Sequence, residues 1–205
     1  MSRAFCYRCH RVASNCICQQ SEQIDNPVSV YLLQHPDETR HSKGSAIIAS
    51  LCLQHYCCWQ GEDFTQHKAL NQLLEKEREN IAVLYPSADA LSIDQVTAEK
   101  KQAIRHLIVI DATWRKAKKI WSLSSNLHQL QTVRLSDDYI SRYRIRKVPA
   151  DGYLSTVEAI AYCLTELENE PQKYLPMLKL FDQLIDQQIS AMGQDVYQKN
   201  YENKT

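Results

Sequence analysis

The amino-acid sequence predicts an α/β fold, with a mainly parallel sheet flanked by helices and a small cysteine-rich knuckle at the N-terminus. Three apolar runs are typical of buried strands, and they end at Gln34, Pro86 and Asp111. Amphipathic stretches that favour helices separate these runs. Strands that alternate with helices in this way indicate a parallel sheet with helical crossovers.

Length and composition favour one main domain with a small appendage. The 205 residues suffice for a sizeable core. The chain opens Met-Ser-Arg-Ala without an apolar leader, and it lacks any run of about 18 apolar residues that could span a membrane. We therefore expect a cytoplasmic protein without a membrane partner. Nothing in the sequence determines the oligomeric state, and a monomer is the working expectation.

Four of the eight cysteines lie in the first twenty residues, as Cys6, Cys9, Cys16 and Cys18. The spacing Cys-x2-Cys-x6-Cys-x-Cys suits tetrahedral Zn²⁺, and four protein ligands leave no open position for catalysis. The sequence thus predicts a structural zinc knuckle. The alternative is four reduced free thiols, since a chain without a signal peptide has little use for a disulfide framework.

The first strand is predicted over residues 28–33. His35 follows at its end, and Pro36 ends the ladder because proline has no N–H to donate. A helix is predicted over residues 45–58, with Cys57 and Cys58 as core or half-buried thiols, and a charged amphipathic helix is predicted over residues 65–79.

The central feature is the apolar run 107–110, which ends at Asp111. Thr113 is placed to cap a helix that runs from Trp114 to Trp121. In open α/β sheets, ligands bind at the carboxyl ends of the strands, so Asp111 and Trp114 are candidate site residues. The alternative is that Asp111 and Thr113 only cap the helix and Trp114 only packs.

Basic residues concentrate in one part of a chain whose net charge is zero. Residues 101–150 hold eleven Lys or Arg against three Asp or Glu. If the segment 142–147 is extended, it places Arg142, Arg144 and Arg146 on one face, and the planar guanidinium suits phosphate. With Lys147, these side chains are candidate RNA contacts. The alternative is that they form a solvated edge and that folding disperses the charge.

The C-terminal part predicts two helices. Ser155 and Glu158 form a capping pattern for a helix over residues 155–168. A last amphipathic helix follows over residues 173–192, and a polar, mobile tail over residues 193–205. No Gly-x-Gly-x-x-Gly follows any strand, and the chain has only four glycines, so an ordinary dinucleotide site is not supported.

Several motifs in one order carry a family resemblance. Besides the cysteine pattern they are Gln34-His-Pro-Asp-Glu38, Leu84-Tyr-Pro-Ser87, Asp111-x-Thr113-Trp114-x-x-Ala117, Tyr143-Arg-Ile-Arg-Lys147 and Leu154-Ser-Thr-Val-Glu-Ala159. This set, which spans roughly residues 6–162, resembles the DTW-domain family of tRNA-uridine aminocarboxypropyltransferases. One departure is Gly44-Ser45-Ala46, where family members often carry an Asn-Thr pair.

The resemblance implies transfer of the 3-amino-3-carboxypropyl group of S-adenosylmethionine to N3 of a tRNA uridine, with release of methylthioadenosine. It implies a SPOUT-like domain over residues 27–192 with a C-terminal trefoil knot, after a zinc knuckle over residues 1–20. Asp111 or His35 is the candidate catalytic base. The residues expected to bind the cofactor are Leu84, Tyr85, Ser87, Asp111, Thr113, Trp114, Leu154, Ser155 and Thr156.

Two other functions fit the same residues. One is an RNA methyltransferase that uses S-adenosylmethionine, which would release S-adenosylhomocysteine instead of methylthioadenosine. The other is a noncatalytic zinc-knuckle RNA-binding protein, which would not bind the cofactor.

Overall fold

A computed structural model describes residues 4–39, 44–145 and 154–202. The chain opens with a small antiparallel hairpin of β1 (Phe5–Cys6) and β2 (Arg11–Val12). In the described part of the chain, six strands then form one sheet in which every neighbouring pair is parallel. These strands are β3 (Ser29–Gln34), β4 (Tyr56–Gln60), β5 (Ile81–Leu84), β6 (Leu91–Ser92), β7 (His106–Asp111) and β8 (Gln131–Arg134).

Helices cover both faces of this sheet. They are α1 (Ala46–Cys52), α2 (Lys68–Glu77), α3 (Ala98–Ala103), α4 (Trp114–Leu123), α5 (Thr156–Glu168), α6 (Leu175–Met192) and α7 (Gln194–Tyr197). Residues of α1, α5 and α6 share one buried apolar cluster with one face of the sheet, and residues of α2 and α4 share a second cluster with the other face. The predicted α/β architecture with a parallel sheet is therefore confirmed.

The strand order β4-β3-β7-β5-β8-β6 places β7 inside the sheet, between β3 and β5. The register pairs Gln34 with Asp111 and Leu84 with Val109. Because the strands are parallel, the segments that follow Gln34, Leu84 and Asp111 all leave the sheet at one edge. This edge carries most of the predicted site residues.

The predicted helix over residues 45–58 is too long. Helix α1 ends at Cys52, and Tyr56–Gln60 forms the edge strand β4. Cys57 is half-buried and Cys58 is exposed. The backbone N–H and C=O groups of residues 56–60 form hydrogen bonds with β3. This long-range pairing overrides the helical pattern of the local sequence.

The predicted polar tail over residues 193–205 is helical in its described residues, and its mobility stays a prediction. Gly193 ends α6 as expected, but Gln194–Tyr197 and Gln198–Glu202 continue as helical turns. Tyr197 is buried in the core, and its ring lies 5.9 Å from that of Tyr201. These two rings give the segment an apolar face that its overall polarity conceals.

The N-terminal knuckle shares the main core. Cys9 and Ile17 are buried in the same apolar cluster as residues of α1, α5 and α6. Within the described ranges, no helix has both the length and the apolar character needed to cross a membrane.

Candidate active site and metal centre

A cavity of about 320 Å³ opens at the carboxyl edge of the sheet, between the ends of β5, β7 and β8 and the starts of α4 and α5. Five of the predicted cofactor residues line it, namely Leu84, Tyr85, Trp114, Leu154 and Thr156. The cavity therefore gathers three sequence motifs that are far apart in the chain. Its size suits a small-molecule ligand.

The carboxylate of Asp111 lies beside this cavity and accepts a hydrogen bond at each oxygen. The side-chain amide of Gln34 donates to Oδ2 at 2.7 Å, and the hydroxyl of Thr156 donates to Oδ1 at 2.5 Å. The backbone C=O of Asp111 accepts the N–H of His35 at 3.0 Å. Donors on both oxygens hold the carboxylate in a defined orientation.

Gln34 was not among the predicted site residues. Its position at the end of a strand was visible in the sequence, but the contact joins residues 77 positions apart. The register of β3 against β7, which the sequence does not reveal, is what sets Gln34 beside Asp111.

His35 is only 5% exposed and is not among the described residues that line the cavity. Its Nδ1 accepts the backbone N–H of Asp37 at 3.1 Å, so we assign the proton to Nε2, which lies 2.6 Å from Glu62 Oε1. Hydrogen bonds from Lys119, which has the larger effect, and from His35 lower the pKa of Glu62. In this state both ring nitrogens are engaged, as are both carboxylate oxygens of Asp111, and neither side chain is among the described residues that line the cavity. A catalytic role for His35 stays a prediction.

Trp114 is 47% exposed and lines the cavity, so the alternative that it only packs in the core is wrong. Thr113 occupies the N-cap position of α4 as predicted, but its exposed side chain makes no capping hydrogen bond within the described structure. The start of α4 therefore offers an indole at the rim of the cavity.

The remaining predicted cofactor residues mainly hold the walls. Tyr85 stacks on Trp121 with ring centroids 4.5 Å apart, and the hydroxyls of Ser87 and Thr132 lie 2.6 Å apart. Ser155 is buried and forms the predicted capping box of α5 with Glu158. These contacts join β5 to β8 and α4, and they fix the first turn of α5.

Glu158 does more than complete that cap. Its fully buried carboxylate accepts the N–H of Ser155 at 2.7 Å, the N–H of Arg142 at 2.5 Å and the hydroxyl of Ser141 at 3.0 Å. The start of α5 is thereby tied to the loop at residues 141–142. Sequence reasoning identified only the local half of this arrangement.

Two of the four predicted RNA contacts are ion-paired with α6. Arg142 Nη1 lies 2.7 Å from Asp182, which raises the pKa of Arg142, and Arg144 Nη2 lies 2.6 Å from Asp186. The segment is not extended here, because the N–H of Arg144 donates to the C=O of Arg142 at 2.9 Å. Arg146 and Lys147 lie outside the described residues, and RNA binding by this segment stays a prediction.

The four predicted metal ligands, Cys6, Cys9, Cys16 and Cys18, meet at one point. All their sulfur atoms lie within 4.8 Å of one another. Cys6 and Cys18 are 3.7 Å apart and Cys9 and Cys16 are 3.8 Å apart. A tetrahedron with metal–sulfur bonds of about 2.3 Å has edges of about 3.8 Å. The cluster could therefore hold a metal ion with little rearrangement.

Backbone amides favour the thiolate form of Cys6 alone, whereas burial, first, and the neighbouring thiols raise the pKa of Cys18. The N–H of Cys18 lowers the pKa of Cys16, but contact with Cys6 and burial raise it overall. The N–H groups of Cys9, first, and of Arg8 lower the pKa of Cys6 to about 6. His10 adopts a positive φ of 55° and its N–H donates to the C=O of Cys6 at 2.9 Å. This tight turn thus accompanies the N–H groups of Arg8 and Cys9 that act on the sulfur of Cys6.

The family model of the DTW domain matches residues 3–189. A tRNA-uridine aminocarboxypropyltransferase 2 of Drosophila melanogaster is 34% identical over 174 residues, covering 82% of this chain and 68% of that protein. The protein of the same name in Macaca fascicularis is 27% identical over 170 residues, covering 81% and 57%. The tRNA-uridine aminocarboxypropyltransferase 1 of Homo sapiens is 22% identical, covering 81% and 65%. No solved structure matches the chain significantly.

Proposed function

The chain belongs to the DTW-domain family, and from this membership we propose that it transfers the 3-amino-3-carboxypropyl group of S-adenosylmethionine to N3 of a tRNA uridine. The relatives that carry this activity in their names are longer than the matched region, since the chain spans 57% of the macaque protein and 68% of the fly protein. The observation that carries the proposal is the cavity where the family motifs meet around the hydrogen-bonded carboxylate of Asp111.

The cavity offers groups that fit each part of S-adenosylmethionine. Leu84, Val109 and Leu154 form an apolar wall suited to adenine. The exposed indole of Trp114 can stack on a base and favours a nearby cation such as the sulfonium. The oriented carboxylate of Asp111 suits the cofactor ammonium or the N3–H of uracil.

The reaction requires the chain to orient two partners and to remove one proton. S-Adenosylmethionine supplies an electrophilic carbon next to its sulfonium. The N3–carbon bond forms, the carbon–sulfur bond breaks, methylthioadenosine leaves, and the proton of N3 passes to a base. Asp111 is the first candidate for that base or for the group that orients the uridine, and His35 is the second.

Incubation with labelled S-adenosylmethionine and bulk tRNA tests the activity. We expect a uridine nucleoside that carries the aminocarboxypropyl group, together with methylthioadenosine, both detected by mass spectrometry. Release of S-adenosylhomocysteine would instead support a methyltransferase. Failure of the purified protein to bind S-adenosylmethionine would support a noncatalytic RNA-binding protein.

The variant Asp111→Asn tests the role of the carboxylate. Asparagine keeps the size of the side chain but removes the charge, so we expect the single-turnover rate to fall by about 10²- to 10⁴-fold. Asp89→Asn, at an exposed loop position, is the matched control and should leave the rate unchanged. If the rate of Asp111→Asn falls by less than about threefold, the loss is far smaller than the loss of a general base typically causes. His35 would then become the first candidate for the base.

For the cysteine cluster we propose a structural zinc ion held by Cys6, Cys9, Cys16 and Cys18. Four thiolates favour zinc, and a closed ligand set assigns it to folding and not to chemistry. Metal analysis of protein purified without chelator should find one zinc per chain. Protein that contains no zinc under these conditions would leave the cluster as free thiols.

We also propose that the domain has the SPOUT-like topology with a C-terminal trefoil knot. The supporting observation is that Thr156, at the start of α5, meets the central strand at Asp111. The decisive segment, residues 146–153, lies outside the described residues. An experimental trace of that segment without threading would overturn the proposal. We further propose that the protein is located in the cytoplasm, where tRNA is available. We also propose that it is a monomer, which sedimentation analysis tests.

A further inference from the structure

The folded chain neutralises most of the basic segment at residues 101–150 that is described. Six of its cations have a carboxylate partner within ion-pair distance. The pairs are Lys101 with Glu166 (3.3 Å), Lys116 with Asp37 (3.1 Å), Lys119 with Glu62 (2.5 Å), Arg134 with Asp137 (3.8 Å), Arg142 with Asp182 (2.7 Å) and Arg144 with Asp186 (2.6 Å). The excess of positive charge in the sequence is therefore much smaller on the described surface.

Two cations at the carboxyl edge of the sheet escape this neutralisation. Arg115 and Lys118 on α4 are exposed, and neither forms an ion pair with any described residue. Helix α4 buries Ala117 and Ile120 against the sheet, and Arg115 and Lys118 are among the residues on its exposed side. Lys118 lies one turn beyond Trp114, and residues four apart on a helix are neighbours on its surface. The free cations thus adjoin the rim of the cavity.

We propose that Arg115 and Lys118 bind phosphates of the tRNA backbone beside the uridine that enters the cavity. This proposal rests on the proposed function, because that function brings a polyanion to this rim. A nucleotide that leaves its stack to enter a pocket keeps its flanking phosphates outside. Lys and Arg side chains next to the pocket entrance are suited to hold those phosphates and to set the register of the strand.

Charge complementarity favours α4 over the segment that sequence analysis selected. Around Arg142 and Arg144 the carboxylates of Asp182 and Asp186 remain in place, so a phosphate that approaches there meets a patch with little net charge. Arg115 and Lys118 have no carboxylate within ion-pair distance among the described residues, and the nearby Asp37, Glu38 and Glu62 are paired with Lys116 and Lys119. A cation without an ion-pair partner can neutralise a phosphate, and so release the counterions condensed on the RNA, without first breaking an ion pair.

The experiment compares the salt dependence of tRNA binding for three double variants of the full chain. Arg115→Ala with Lys118→Ala removes the proposed contacts. Lys100→Ala with Arg105→Ala is the matched control, because both residues are exposed and without an ion pair among the described residues but lie near the amino end of β7. Each double variant removes two positive charges, so the overall charge of the protein changes equally.

We expect only the α4 variant to flatten the plot of log affinity against log salt, by about 1.4 to 1.8 in slope for two phosphate contacts. Binding of S-adenosylmethionine should be unchanged in both variants. An unchanged slope in the α4 variant would overturn the proposal, and so would an equal change in the control, because that would indicate general electrostatics. A third variant, Arg142→Ala with Arg144→Ala, should change the slope less than the α4 variant.

This test separates its own failure from failure of the proposed function. The slope is read from binding alone, whereas the proposed function is read from product formed by the wild-type protein. If the wild-type protein makes no modified uridine but the α4 variant has a flatter salt dependence of tRNA binding, the activity is refuted and the docking surface is supported. If the wild-type protein forms the product but the α4 variant keeps the wild-type salt slope, the activity is supported and the docking surface is refuted.

Discussion

At the scale of single residues, the two hydrogen bonds to Asp111 limit how its carboxylate can move. Gln34 holds one oxygen and Thr156, which lines the cavity, holds the other, so the carboxylate has one preferred orientation. A group that must be fixed within a fraction of an ångström depends on such supporting donors. Thr156 is therefore expected to act through Asp111 as a positioning residue.

Thr156→Val tests this support, because valine keeps the shape of threonine and removes the hydroxyl. A hydrogen bond to a charged group contributes about 1.5 to 3 kcal/mol, which corresponds to a roughly tenfold to hundredfold lower single-turnover rate at saturating cofactor and tRNA. Thr156→Ser keeps the hydroxyl and is the matched control, which should restore most of the rate. Equal rates for the valine and serine variants would show that the hydroxyl does not position Asp111.

Individual side chains were predictable where the local sequence defines their position. Asp111 and Trp114 follow directly after an apolar strand, and both lie at the carboxyl edge as predicted. The partners of Arg142 and Arg144 are 40 and 42 positions away on α6, so their neutralisation depends on packing that no local pattern encodes. For the same reason, the contact of Gln34 with Asp111 could not be predicted from the local sequence.

At the scale of elements, α5 connects the cavity to the loop before it through Glu158. This buried carboxylate accepts hydrogen bonds from its own helix start and from residues 141 and 142. Since every contact is a donor aimed at an oxygen, a side chain that presents its own N–H groups cannot substitute for the carboxylate. The position of the loop is thus coupled to the first turn of α5.

We predict that Glu158→Gln destabilises the protein. The glutamine amide sets an N–H donor against other donors in a buried site, which costs about 1 to 3 kcal/mol. The melting temperature should fall by roughly 2 to 4 °C for each kcal/mol in a chain of this size. Glu75→Gln, at an exposed position on α2, is the matched control and should melt like the wild type. Equal melting of both variants would mean that the loop contributes no stability through Glu158.

The elements with the strongest sequence patterns were predicted well. The central strand, the helix that begins at Trp114 and the capped helix that follows Ser155 all begin within one residue of the predicted positions. The edge strand β4 was missed because two cysteines between aromatic residues favour neither helix nor strand clearly. Pairing with β3 decides the conformation there, and that pairing is a long-range event.

At the scale of the whole molecule, the cysteine knuckle and the sheet share one core. Cys9 and Ile17 are buried with Ile48 of α1 and Phe181 of α6 in the same cluster. The four closely spaced cysteines form a local pattern, which predicts the knuckle as a segment of its own. Its burial against distant helices could not be inferred, since nothing local in residues 6–18 identifies the surface they contact.

This shared core predicts how the molecule responds when the cysteine cluster loses its metal. A structural zinc site stabilises its fold by about 10 to 16 kcal/mol, which is comparable with the total stability of a domain, about 5 to 15 kcal/mol. Because Cys9 and Ile17 belong to the same buried cluster as residues of α1 and α6, the loss should propagate beyond the knuckle. We expect calorimetry of chelator-treated protein, and of the variant Cys16→Ser, to show one unfolding transition at a clearly lower temperature. The control Cys57→Ser, in a half-buried thiol of β4 outside the cluster, should melt near the wild-type temperature. A main transition that stays in place while only a small early transition appears would show that the knuckle unfolds alone, and it would contradict the shared core.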